Sequence, residues 1–109
     1  MNVIFTEKAK REQYERLLEA TKVLEEVLGP SAKIVSAEWD RGENERGRIV
    51  YTLKVRDYTG EVSAAFDPDE LRSLSDLRYR LLRLWGDLLQ IRSHKQLQEL
   101  TESSGRLGE

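Results

Sequence analysis

Between Val35 and Phe66, apolar and polar residues alternate with a period of two in three successive runs. This alternation is typical of strands that bury one face and expose the other. The links between the runs are short and polar, so the sequence predicts three consecutive strands in an antiparallel meander. The apolar positions should share one sheet face, covered by helices: Val35, Ala37, Trp39, Ile49, Tyr51, Leu53, Val55, Val62, Ala64 and Phe66.

A helical periodicity precedes these strands, from Thr6 to Leu28. Apolar or small residues recur there at steps of three and four, which places them on one face of an α-helix. Gly29-Pro30 should end this helix, because glycine readily adopts a left-handed capping conformation and proline cannot continue the helix. The predicted buried face consists of Tyr14, Leu17, Thr21, Leu24 and Leu28.

Asp67-Pro68-Asp69-Glu70 predicts the start of a second, longer helix. Aspartate is a favoured helix cap, proline suits the first turn, and carboxylates near the N-terminus oppose the helix dipole. Ser93 to Gln96 matches a capping box, so a continuous helix and a break followed by a short extra C-terminal helix both fit. The predicted fold is α+β: a single domain over residues 1–102, with the element order α-β-β-β-α, and a flexible tail over residues 103–109.

Composition narrows the class of protein. The chain has 109 residues, no cysteine and a net charge of −2, so one globular domain is expected and general attraction to nucleic acid or an acidic membrane is not. The absence of cysteine fits a reducing compartment. No stretch has the length or apolarity of a signal peptide or a membrane span, so the prediction is a cytoplasmic protein with no membrane partner.

Residues suited to catalysis are scarce. His94 is the only histidine, and it lies away from the leucine face of the second helix, so a surface position is expected. Gly42 and Gly47 bracket an acidic loop that leads into a strand, which does not match a phosphate-binding loop. The carboxylates at Asp67 to Glu70 are explained by helix capping. The sequence therefore predicts a non-catalytic protein, with no cofactor, no metal site and no catalytic residue.

The second helix carries more apolar surface than one sheet needs. At 100° per residue its apolar side chains cover about 180°, whereas a helix on one sheet needs about 100°. The surplus predicts a homodimer whose interface includes Leu82 and Leu89. Arg78 and Arg92 also lean toward the apolar side, which suits arginines that meet acids across an interface. The arc comprises Leu71, Leu74, Leu77, Leu81, Leu82, Leu84, Trp85, Leu88, Leu89 and Ile91.

The same helix has a local excess of basic residues. Arg72, Arg80 and Arg83 project away from the leucines and are candidate contacts to a phosphate backbone. Pairing within the helix is the competing interpretation, because Asp76 and Asp87 each stand four residues from one of these arginines. Any binding should then be weak, indifferent to base sequence and sensitive to salt.

Two short stretches resemble a known family. They are Gly47 to Leu53, a glycine-led alternating strand, and Gly60 to Pro68, a short strand that ends at an acidic-proline helix start. Together with the element order, they are similar to the bacterial nucleoid-associated proteins of the YbaB family. That resemblance implies a non-catalytic homodimer that binds DNA, and it assigns no site residue.

The sequence thus leaves two functions open. The first is a small non-catalytic homodimeric interaction module, which binds itself and is compatible with a second protein partner. The alternative is a nucleic-acid-binding protein that does not read base sequence.

Overall fold

The structure, a computed structural model, describes the backbone of residues 1–107 and the side chains of residues 1–102. Short 3₁₀ segments at Gly29–Ile34 and Glu70–Arg72 connect the regular elements. The regular elements, in chain order, are β1 (Asn2–Phe5), α1 (Tyr14–Leu28), β2 (Ser36–Glu43), β3 (Ile49–Asp57), β4 (Gly60–Phe66) and α2 (Leu74–Leu107).

Within residues 1–107 the sheet has four strands in the order β1-β2-β3-β4, and it is mixed. Strands β2, β3 and β4 form the predicted antiparallel meander. Strand β1 adds a parallel pair, with Asn2 opposite Ser36 and Phe5 opposite Trp39. The prediction of a three-stranded, purely antiparallel sheet is therefore wrong. A four-residue segment is too short to show a period by itself, and its place in the sheet depends on pairing with β2.

Helix α1 is shorter than predicted, since it begins at Tyr14 and not at Thr6. The intervening residues form turns, and the Thr6 hydroxyl donates a hydrogen bond to Asp40 Oδ1 at 2.7 Å. This hydrogen bond links the residue that follows β1 to β2. The helix ends as predicted at Gly29, whose φ of 57° is unfavourable for residues with a side chain.

The predicted sheet face is confirmed as the core. Trp39, Tyr51, Leu53 and Phe66 are fully buried on it, and Ile49, Val62 and Ala64 are partly buried against it. Four of the five residues predicted for the buried face of α1 are buried, whereas Tyr14 is only partly buried and Ala20 is buried in addition. Thr21 of α1 accepts a 3.0 Å hydrogen bond from Trp39 Nε1, so the largest core side chain has its polar atom paired.

Asp67 acts as a cap, as predicted, but it caps a 3₁₀ turn, and the α-helix begins later. The Glu70 N–H donates to Asp67 Oδ1 at 2.8 Å, and the Asp67 N–H donates to Glu70 Oε1 at 3.2 Å. This reciprocal capping box holds the 3₁₀ turn Glu70–Arg72. The extended backbone of Ser73 separates that turn from α2, which begins at Leu74. The predicted helix start is therefore corrected to Leu74.

Helix α2 runs without a break to Leu107, so the structure selects the continuous helix over the extra C-terminal helix. The predicted tail falls on residues 103–109, whose side chains lie outside the described part. No helix within residues 1–107 is both long and apolar enough to span a membrane.

The β3–β4 hairpin is pressed against α2. A Cβ atom on Gly60 would lie 2.8 Å from Cγ2 of Ile91, closer than non-bonded carbon atoms approach. Glycine therefore allows the hairpin to contact the helix directly. The contact also sets Asp57, the last residue of β3, beside the middle of α2.

Candidate interaction surfaces on helix α2

Helix α2 has a buried side and an exposed apolar side. Leu77, Leu81 and Leu88 are almost fully buried in the core. Leu82 and Leu89 remain 50% and 37% exposed although they belong to the same apolar arc. The sheet and α1 thus cover only part of the arc, as its width predicted.

The exposed apolar side continues along the helix as a strip that we call the outer strip. Its residues recur at steps of three and four, so they point in one direction. None of them is buried and none is charged, although charged residues make up 35% of the chain. The outer strip comprises Tyr79, Leu82, Gly86, Leu89, Ser93, Leu97 and Leu100.

Two arginines border the outer strip, and each is paired within the chain. Arg78 Nη1 lies 3.2 Å from Glu26 Oε2 of α1. Arg92 donates from Nε and Nη2 to Asp57 Oδ2, at 3.0 and 2.7 Å, and its guanidinium lies 5.1 Å from the Trp85 ring centroid. The arginines do lean toward the apolar side, but the acids that they meet belong to the same chain. The expectation that these acids lie across an interface is corrected accordingly.

The Asp57–Arg92 pair is shielded from water. The Asp57 side chain is fully buried, and its Oδ1 accepts a hydrogen bond from the Thr59 N–H at 2.7 Å. Burial alone would raise the pKa of Asp57, but the hydrogen bonds from Thr59 and Arg92 outweigh it and hold the pKa below its usual value. Asp57 therefore remains ionised at neutral pH, and its ion pair with Arg92 links the β3–β4 hairpin to α2.

This pKa shift predicts a loss of stability in acid. A carboxyl whose pKa is lowered by folding stabilises the protein above its unfolded pKa of about 3.9, and the effect disappears as the pH falls through the folded pKa. The free energy of unfolding in urea should fall between about pH 5 and about pH 3. The fall should be smaller in Asp57→Asn. Asp40, whose pKa the Thr6 hydrogen bond lowers, adds a decrease of the same sign in both proteins, so only the difference between them reports Asp57.

Arg80 is held in the structure by three contacts. Its Nη1 lies 2.6 Å from Glu70 Oε2 and donates to the Ala65 carbonyl at 2.7 Å. Its guanidinium also lies 4.3 Å from the centroid of the Phe66 ring. These contacts join the capping turn, strand β4 and helix α2. Arg80 therefore has a structural role, and its intrahelical pairing with Asp76, expected from spacing, is replaced by the bond to Glu70.

The other two candidate phosphate contacts do not extend a basic surface. Arg72 lies 3.8 Å from Asp69, an exposed pair. Arg83 makes no ion pair within the described side chains, and it shares its groove with Asp76 and Asp87. One arginine between two carboxylates offers little positive charge to a phosphate backbone. The geometry therefore gives the nucleic-acid prediction no added support.

Some site residues were not recognisable from the sequence. Glu26 and Asp57 are 52 and 35 positions from the arginines that they pair with, and no local pattern announces either contact. His94 is exposed, as expected. Among the described residues, no group of three or more His, Cys, Asp or Glu side chains is placed to hold a metal ion.

Comparison with known proteins returned no relative. No family model, no curated protein and no solved structure matches this chain.

Proposed function

We propose that this chain is a small homodimeric interaction module and that two copies associate through the outer strip of α2. The observation that carries the proposal is the strip itself, an exposed apolar face that bears no charge on a highly charged chain. Exposed apolar surface of this kind marks sites of association.

The absence of charge favours a second copy as the partner. In a two-fold interface the same surface meets itself, so any unpaired charge on it faces its own kind. Arg78 and Arg92, which border one side of the strip, are already neutralised by Glu26 and Asp57. Arg83, on the other side, lies beside Asp76 and Asp87 in the neighbouring groove. Contact between two copies of the strip would therefore place no charged strip residue against its own copy.

The length and shape of the strip also suit a helix pair. From Tyr79 to Leu100 the helix rises about 31 Å at 1.5 Å per residue. The Cβ position of Gly86 has no atom within 4 Å, so the surface there is open. In an antiparallel pair that uses the whole strip, Gly86 of one copy faces Ser93 of the other, and these small residues allow close approach of the helices.

The mass in solution tests the proposal. Light scattering at micromolar concentration should give the mass of a dimer. Leu82→Glu and Leu89→Glu should each give a monomer, because burying an unpaired carboxylate is costly. Leu18→Glu is the matched control: Leu18 is an exposed leucine on α1, 40% exposed and outside the strip, so its substitution should leave the dimer intact.

A monomeric mass for the unmodified protein at all concentrations would refute the dimer. Equal effects of the Leu18 and Leu82 substitutions would refute the assignment of the interface to the outer strip. Circular dichroism should show that each variant keeps its helix content, which separates dissociation from unfolding.

A further inference from the structure

Strand β4 forms one edge of the sheet, because β3 is its only neighbour among the residues that the structure describes. Asp57 and Gly60 are paired across a two-residue turn, and hydrogen-bonded pairs alternate along an antiparallel ladder. The N–H and C=O groups of Glu61, Ser63 and Ala65 therefore point away from β3. The Ala65 carbonyl confirms this direction, since it accepts a hydrogen bond from Arg80 beyond the edge.

The remaining outward groups have no partner within the described residues. Arg80 covers the edge at Ala65, whereas no side chain or backbone group bonds to the outward N–H and C=O of Glu61 and Ser63. An edge of this kind is a template for another extended chain.

A groove with a volume of about 500 Å³ lies beside this edge. Ser63 and Ala64 of β4 form one side of it, and α2 forms the other. The helix flank that faces the groove is mostly charged, and it meets the outer strip at Tyr79. The groove beside the β4 edge thus combines open space with unpaired backbone groups and charged side chains.

The charges in the groove indicate the chemistry of the partner. Arg80 is neutralised by Glu70, which leaves Arg83 against Asp76 and Asp87, two carboxylates to one cation. A strand added to β4 would direct alternate side chains toward this flank. Basic side chains at alternate positions are the complement of such a groove.

We propose that the β4 edge binds an extended basic segment of another protein as a fifth strand. The backbone of the segment pairs with Glu61 and Ser63, and its lysine or arginine side chains reach Asp76 and Asp87. This is strand addition at a sheet edge, in which main-chain hydrogen bonds supply affinity and alternate side chains supply specificity. The site and the dimer interface lie on different flanks of α2 and share Tyr79 at their border.

The probe is a labelled seven-residue peptide of alternating threonine and lysine, the length of β4. Fluorescence anisotropy should show saturable binding, and a threonine-glutamate peptide should not bind. Two methylated forms of the lysine peptide test the backbone pairing. In one, the methyl groups replace the N–H hydrogens that face β4, and this peptide should bind more weakly. In the other, they replace the alternate N–H hydrogens, which face away from the edge, and its binding should be unchanged.

Position 63 offers a matched pair of variants. Ser63→Pro removes the outward N–H at an edge position where proline is tolerated, and it should weaken binding by about tenfold. Ser63→Ala keeps the backbone and should bind within about twofold of the unmodified protein. Leu18→Glu should leave peptide affinity unchanged, because Leu18 lies on α1 and lines neither the groove nor the outer strip. If Ser63→Pro does not fold, binding of the two methylated peptides to the unmodified protein tests the backbone pairing instead.

Three results would overturn the proposal. They are no saturable binding of the lysine peptide up to about 1 mM, equal binding by both methylated peptides, and equal affinity of the Ser63→Pro and Ser63→Ala variants. Conversion of a dimer to a monomer by Ser63→Pro would show that a second copy occupies the edge, and it would also overturn the proposal.

Discussion

Arg92→Met is expected to lower the free energy of unfolding by about 3 kcal/mol. Methionine retains much of the side-chain volume of arginine but removes both hydrogen bonds to Asp57 Oδ2. The carboxylate of Asp57, whose side chain is fully buried, then lacks its counter-charge. Removing one partner of a buried pair costs more than the pair itself contributes, because the other charge remains out of water. Urea denaturation at neutral pH measures the loss.

Two further variants make this prediction specific. Arg72→Met removes the exposed pair with Asp69 and should cost less than about 0.5 kcal/mol. Adding Asp57→Asn to Arg92→Met removes the unpaired charge and should recover part of the lost stability. A loss that is equal for the Arg92 and Arg72 variants, or no recovery in the double variant, would contradict the role given to the pair.

Trp39→Ala should lower the free energy of unfolding by about 4 kcal/mol, more than Arg92→Met. Trp39 is fully buried, its ring lies 5.8 Å from that of Phe66, and its indole N–H donates to Thr21. Alanine would leave a cavity where α1 meets the sheet, and the neighbouring side chains would only partly fill it. Calorimetry or urea denaturation checks the loss.

Thr21 allows the packing of Trp39 to be separated from its hydrogen bond. Thr21→Val keeps the shape of the side chain but leaves the indole N–H buried without an acceptor, at a cost of about 1–3 kcal/mol. Combining it with Trp39→Phe removes the donor as well, so the second substitution should cost less in that background than alone. If the losses in free energy of unfolding from Thr21→Val and Trp39→Phe simply add in the double variant, the hydrogen bond does not couple α1 to the sheet.

The local patterns predicted the parts of this fold that depend on near neighbours in sequence. Period-two alternation identified the common face of β2, β3 and β4, because one residue of slippage would have turned every apolar side chain to water. The same reasoning identified the buried face of α1 and the exposure of Leu82 and Leu89. Gly29 and Asp67 marked helix and turn boundaries, since caps are satisfied within a few residues.

Other features depended on contacts between distant segments. Strand β1 is only four residues long, and it becomes a strand because β2 supplies its hydrogen bonds. The later start of α2 has a local cause instead, because the capping box between Asp67 and Glu70 closes around a 3₁₀ turn and Ser73 is extended before the helix. Propensity and spacing are weaker than tertiary hydrogen bonds in such short segments.

The candidate interaction surfaces show the same division. The apolar strip on α2 follows from helical spacing alone, and so does the inward lean of Arg78 and Arg92. The sequence could not assign their partners, because charges meet across 52 and 35 residues only after the chain has packed. The predicted meander already makes β4 an edge strand, but only the tertiary structure shows that Arg80 covers this edge at Ala65 and that α2 forms a groove beside it. Sequence determines which face of each element is apolar, whereas the packing of elements decides which polar groups are paired and which remain available.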